Sequence, residues 1–173
     1  MIVPKKTQPF GNEFHSICCC TCGVIFRVEM VEGKDRPKEL GKPKNEVESG
    51  GVTAGLMVRM TEGIWYKGLC VAMDSGFCVL NGLVEMGKKG VYGASLIKKR
   101  RYWPKGVLGD AIDRDFAGKE LGSVDAIQGI QDGIPYHIYV MKDVDYTIKI
   151  MSTHGTCELV GKETRREVVK LPR

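Results

Sequence analysis

Leu69-Cys70-Val71-Ala72-Met73 is an unbroken apolar run that ends on Asp74 and continues into Ser75-Gly76-Phe77. Such a run reads as a strand buried on both faces, as in parallel sheets. An acid at its carboxyl end lies where open α/β sheets keep their ligand and metal sites. Burying a carboxylate there is costly unless it is paired or coordinates a cation. Two chemistries suit Asp74. It can cap the helix that follows, accepting backbone N–H bonds. It can instead supply one oxygen to an Mg2+ or Mn2+ pair that clamps the attacking and leaving oxygens of a phosphodiester. The second chemistry needs two or three carboxylates from different elements, because one alone does not hold two divalent cations.

A second candidate is Lys98-Lys99-Arg100-Arg101-Tyr102-Trp103-Pro104-Lys105. Lys98, Lys99, Arg100, Arg101 and Lys105 can contact phosphates, while Tyr102 or Trp103 can stack on a base. Several phosphate contacts make binding fall steeply with salt. The plainer reading is a solvated charge run, and a nuclear localisation signal is a third. The formal net charge of +5 suits a nucleic-acid partner without requiring one.

Seven cysteines are present, four of them in Cys18-Cys19-Cys20-Thr21-Cys22. Their odd number and crowding match neither a zinc CxxC pair nor a secreted disulfide framework, so the expectation is reduced, mostly buried thiols. Zinc held by His15, Cys20 and Cys22 is the sharper alternative, although no second ligand pair stands nearby. His15, His137 and His154 lie in three separate segments, and no Ser or Cys is arranged with them as a nucleophile and base. The glycines form neither a phosphate-binding P-loop nor a dinucleotide fingerprint.

The elements that position these residues follow from periodicity. Phe14 to Cys20 and Val24 to Glu32 are β-prone and joined by Thr21-Cys22-Gly23. In the second, Val24, Phe26, Val28 and Met30 alternate with Ile25, Arg27, Glu29 and Val31, which predicts a hairpin. Residues 33–51 are polar and rich in Gly and Pro, the composition of a mobile loop. A short helix is expected over Val52 to Thr61, and a second over about 76–88 with Ser75 as its cap. Phe77, Leu80, Leu83 and Val84 give the second its apolar face, and Gly90 suits the left-handed position beyond it. Val91 to Ile97 then completes a right-handed βαβ unit. A polar loop should run on to Gly122. Val124 to Gln128, Tyr136 to Lys142 and Tyr146 to Ser152 should form an antiparallel meander. The charged end from Lys162 should fray.

With 173 residues, 43% hydrophobic and 27% charged, the chain has the size of one globular domain. No apolar stretch of membrane-spanning length occurs, and Met1-Ile2-Val3-Pro4-Lys5-Lys6 lacks the apolar region of a secretory signal. The sequence therefore predicts an intracellular protein, nuclear or cytoplasmic.

Four pieces together carry a family resemblance: Pro9-Phe10-Gly11-Asn12-Glu13-Phe14-His15, Val31-Glu32-Gly33-Lys34-Asp35, Met73-Asp74-Ser75-Gly76-Phe77 and Lys98-Lys99-Arg100-Arg101-Tyr102-Trp103-Pro104. In this order, from about Pro4 to Cys157, the chain resembles the catalytic region of piggyBac-type transposases and of proteins derived from such elements. The resemblance implies an α/β, ribonuclease-H-like fold with a mixed sheet and flanking helices, whose DNA-cleaving site uses three acids and two divalent cations. Asp74 falls at the second acid, at the end of that fold's fourth strand. The hairpin over 14–32 matches strands two and three, Val52 to Thr61 the first helix, and Val91 to Ile97 strand five.

The same resemblance divides the chain into a core fragment (14–97), a basic loop (98–121), an inserted antiparallel β region (122–155) and a frayed tail (160–173). The family's first acid precedes the segment matched by Pro4 to Phe14, and its third lies on a helix beyond Tyr146 to Cys157. Asp143 and Asp145 match neither. The expectation is a truncated transposase relic that binds no Mg2+ or Mn2+ unless the missing acids are supplied, with DNA and a second copy of the chain as partners. The absent first strand is also expected to leave the strands at 14–20 and 69–73 without their shared neighbour.

Overall fold

Residues at which β-branched, aromatic and polar side chains alternate pair into strands, and the two segments with apolar residues three and four apart coil against them. The computed structural model describes residues 14–30, 51–98 and 102–157. The expected loop over 33–50, the tail from 160 and Lys99, Arg100 and Arg101 lie outside the described residues. A hairpin of β1 (Phe14–Cys18) and β2 (Ile25–Met30) is followed by helix α1 (Val52–Met60), then β3 (Cys70–Met73), helix α2 (Leu80–Lys88) and β4 (Tyr92–Leu96). Helix α3 (Gly109–Ala117) leads to the meander β5 (Val124–Gln131), β6 (Ile134–Lys142) and β7 (Thr147–Ser152).

The expected βαβ unit is present: β3 and β4 run parallel, in the register Cys70↔Tyr92 to Met73↔Ser95. The meander turns at Asp132-Gly133, both with positive φ, which matches a two-residue hairpin turn. Rather than forming a layer of its own, the β region continues the core sheet. β7 pairs antiparallel with β4, giving a mixed five-stranded order β3-β4-β7-β6-β5. β1 and β2 form a separate two-stranded sheet. Among the described residues, β3 is hydrogen-bonded on one side only, to β4.

Helices α2 and α3 cover the same face of the sheet. Ile134 of β6 abuts Gly87 of α2, while Val140, on the same face of β6, lines one crevice with Phe116 of α3. Met57, Leu83, Met86, Val91, Phe116, Ile138, Val140 and Met151 close the core between them. α1 crosses α2 where Gly82 lies against Met57 and Ala54, an approach that a side chain at 82 would block.

Four expectations are corrected. The strand read as buried on both faces has one face open: Cys70 and Ala72 are exposed, while Val71 and Met73 are half-buried against the core. The segment expected as a polar loop to Gly122 contains α3, whose Ile112 and Phe116, one turn apart, face the core. The helix expected from residue 76 begins at Leu80 instead. Ser75–Phe77 forms a separate 3-10 turn, Val79 is extended, and Ser75 caps nothing in α2. The hairpin alternates as expected, but with the less apolar face inward. His15, Ile17, Arg27 and Glu29 are half-buried, while Phe14, Val28 and Met30 are 45–55% exposed. That face carries two ion pairs: Arg59 of α1 reaches Glu29 at 2.7 Å and Arg27 reaches Glu62 at 3.1 Å.

The end of α2 matches its sequence. Gly90 has φ 65, its N–H bonds Gly87 C=O, and Val91 N–H bonds Met86 C=O, which together make a Schellman cap. A Cβ at Gly90 would also lie 3.1 Å from the Tyr66 backbone. Gly90→Ala is expected to cost about 1–2 kcal/mol, read as a lower urea midpoint with an unchanged slope.

Candidate functional site

Asp74 leaves the carboxyl end of β3 and is exposed. Its Oδ1 accepts the Gly76 N–H at 2.6 Å and caps the 3-10 turn over Ser75–Phe77. Its backbone C=O accepts the Ser95 hydroxyl of β4 at 2.6 Å and the Phe77 N–H at 3.2 Å. The parallel register of β3 and β4 and this Ser95 bond hold the exit of β4 beside Asp74. Across the turn, His15 of β1 meets Phe77 edge-on, with ring centroids 5.4 Å apart. Asp74 thus stands where the hairpin, β3 and β4 converge. The capping bond serves the 3-10 turn and not the helix α2 that follows.

The basic segment starts two residues beyond β4. Lys98 and Lys105 are exposed, and Tyr102 and Trp103 are half-buried at the edge of the core. The indole of Trp103 lies on Gly109 at the start of α3, filling the space that a Cβ there would need. Trp103 thereby anchors the segment to the fold between its two flanking lysines. Lys99, Arg100 and Arg101 lie outside the described residues.

The expectation of mostly buried cysteines is overturned. Cys18, Cys19, Cys20, Cys22 and Cys70 are exposed, Cys157 is half-buried, and Cys78 alone is buried. Burial pushes the Cys78 thiol up to about 11. Hydrogen bonds from the backbone of Cys22 and of Thr21, then from the Cys22 thiol, bring Cys19 down to about 7. The spacing Cys19-Cys20-Thr21-Cys22 is a CxxC pair that reading the four cysteines as one crowd conceals. His15, Cys20 and Cys22 do not come together as metal ligands: among the described residues, no group of three or more His, Cys, Asp or Glu converges to hold an ion. The histidines pack on aromatic rings instead, His137 on Tyr139 and His154 on Tyr92.

A family model described as Transposase IS4 matches residues 1–172. The chain belongs to this transposase family. Among solved structures it is similar to the piggyBac transposase of a cryo-EM synaptic complex with hairpin DNA, with a TM-score of 0.68 at 10% sequence identity. The match covers 94% of this chain and 31% of that one, so the chain spans about a third of the transposase it resembles. No curated protein matches it. The mixed sheet with flanking helices is accordingly the ribonuclease-H-like fold of a transposase catalytic region. Transposases of this type generally use divalent metal ions. The described residues do not fit such a pair: Asp74 offers one carboxylate, with one oxygen already engaged by the Gly76 N–H. No helix of the described residues is long and apolar enough to cross a membrane.

Proposed function

We propose that this transposase-derived chain carries a remnant second acid, Asp74, and neither cleaves nor joins DNA by itself. The carrying observation is the isolation of Asp74, a capping carboxylate with no convergent acids among the described residues. Two-metal phosphodiester chemistry needs both cations clamped, and a single carboxylate does not clamp them. On this reading, Mg2+ or Mn2+ binds at Asp74 only where further acids are brought beside it. The test is nicking of supercoiled DNA by the full chain in Mg2+ or Mn2+. The expected result is no nicking above that of Asp74→Ala. Cleavage that disappears in Asp74→Ala overturns the reading.

A second reading, DNA binding without chemistry, is favoured by one observation. The basic segment leaves β4 beside Asp74, at the ligand-bearing end of the parallel strands. Lys98, Lys99, Arg100, Arg101 and Lys105 would contact phosphates, with Trp103 holding the segment in place. Similarity to a transposase whose structure contains hairpin DNA supports DNA as the partner. A second copy of the chain is the other partner proposed, and the cell nucleus or cytoplasm the location.

A further inference from the structure

The hairpin tip between β1 and β2 carries four exposed thiols. Two backbone bonds of 2.9 Å fold it, Cys19 N–H to Val24 C=O and Gly23 N–H to Cys19 C=O. Gly23 takes φ 72, a conformation costly for other residues. This turn wraps Thr21 and Cys22 back over Cys19. The bond from Gly23 N–H to Cys19 C=O closes a single turn from Cys19 to Gly23, with Cys22 three residues on from Cys19 within it. Cys19 and Cys22, with two residues between them, thus share one turn, and both thiols are exposed.

We propose that Cys19 and Cys22 form a redox-active dithiol that exchanges with low-molecular-weight disulfides, such as glutathione disulfide, and closes to an intramolecular disulfide across the hairpin tip. The Cys19 thiolate attacks one sulfur of the disulfide. A Cys19–glutathione bond forms, the glutathione S–S bond breaks, and one glutathione thiolate leaves. The Cys22 thiol, deprotonated by solvent, attacks Cys19 Sγ and expels the second glutathione thiolate. The dithiol loses two electrons and two protons, and glutathione disulfide becomes two glutathiones.

Donor convergence explains which sulfur attacks. A thiol at about 7 is roughly half ionised at neutral pH. An attacking thiol works best with its pKa near the ambient pH. Cys78, buried and at about 11, remains a protonated internal control. The Cys19–Cys22 pair does not depend on the DNA reading, since it lies on the hairpin and not on the basic segment.

The test uses the full chain with Cys18→Ser and Cys20→Ser, leaving one pair at the tip. The reduced protein is mixed with glutathione disulfide at pH 7, quenched by alkylation, and the tryptic peptide ending at Arg27 is analysed by mass. The expected product is an internal Cys19–Cys22 disulfide without attached glutathione. Cys22→Ser should trap glutathione on Cys19. Cys19→Ser should leave Cys22 forming only a mixed disulfide with glutathione, and several-fold more slowly than the parent pair reacts. All these sites are exposed, and an unchanged urea midpoint confirms that each variant folds. Attack by Cys22 at the full rate in Cys19→Ser, or glutathione persisting on Cys19 beside an intact Cys22, overturns the proposal.

Discussion

Phe116→Ala is expected to lower the stability of this domain by about 3–5 kcal/mol, the range for truncating a buried aromatic side chain. Domains of ordinary stability hold only about 5–15 kcal/mol, so the variant should be largely unfolded at urea concentrations the parent tolerates. Phe116 is 1% exposed and sits with Val140 and Ile127 under α3. Ile138, Val140 and Met151 of the same core are themselves fully buried. Lys119 Nζ lies 4.2 Å from the ring centroid and would lose its aromatic partner as well. Leu108, 74% exposed one residue before the same helix, is the control: Leu108→Ala should shift the midpoint little. Urea titrations followed by circular dichroism decide it, and equal small shifts for both variants would mean that α3 is not docked.

That contrast marks where the sequence was readable. Val91 to Ile97 after Gly90, and Cys70 to Met73 before Asp74, carry local signals: apolar runs, a left-handed glycine and turn residues. The parallel pair, the hairpin, the meander and the Schellman cap could all be read from them. Helix α3 could not, because six of the twelve residues from Gly106 to Ala117 are charged or glycine, and only Leu108, Ile112 and Phe116 keep the four-residue step. The pairing of Ser95 with Met151 leaves no local trace, since its partners meet only in the folded sheet.

The start of α2 was misread because the Asp74 cap closes a 3-10 turn before the helix can begin. The partners of the hairpin's inward face, Arg59 and Glu62, lie in other elements and leave no trace in the hairpin's own pattern. For the site, the sequence placed Asp74 at a strand end but left its role open between cap and ligand. The Gly76 bond shows the cap, and the ligand role depends on carboxylates that the described residues do not bring near it.

The largest functional effect should come from the cations of the basic segment. Neutralising Lys98, Lys99, Arg100, Arg101 and Lys105 together is expected to flatten the logarithmic salt dependence of DNA affinity by about 4.5, since each phosphate contact contributes about 0.9. With all five contacts, the parent should lose roughly 500-fold in affinity between about 50 and about 200 mM salt. The variant should lose little more than its remaining charges dictate. The effect should hardly depend on DNA sequence, because phosphates carry no base identity. Trp103→Leu separates the two roles of the segment. Trp103 fills the space above Gly109, so its loss should loosen the entry to α3 and lower the urea midpoint. The charges remain, so the salt slope should stay close to that of the parent. Fluorescence anisotropy with a labelled duplex across a salt series reads both quantities. A slope unchanged after removing all five cations would take the DNA contact away from this segment. A slope that falls as far in Trp103→Leu would mean that the aromatic anchor, and not charge alone, sets where the cations meet the phosphates.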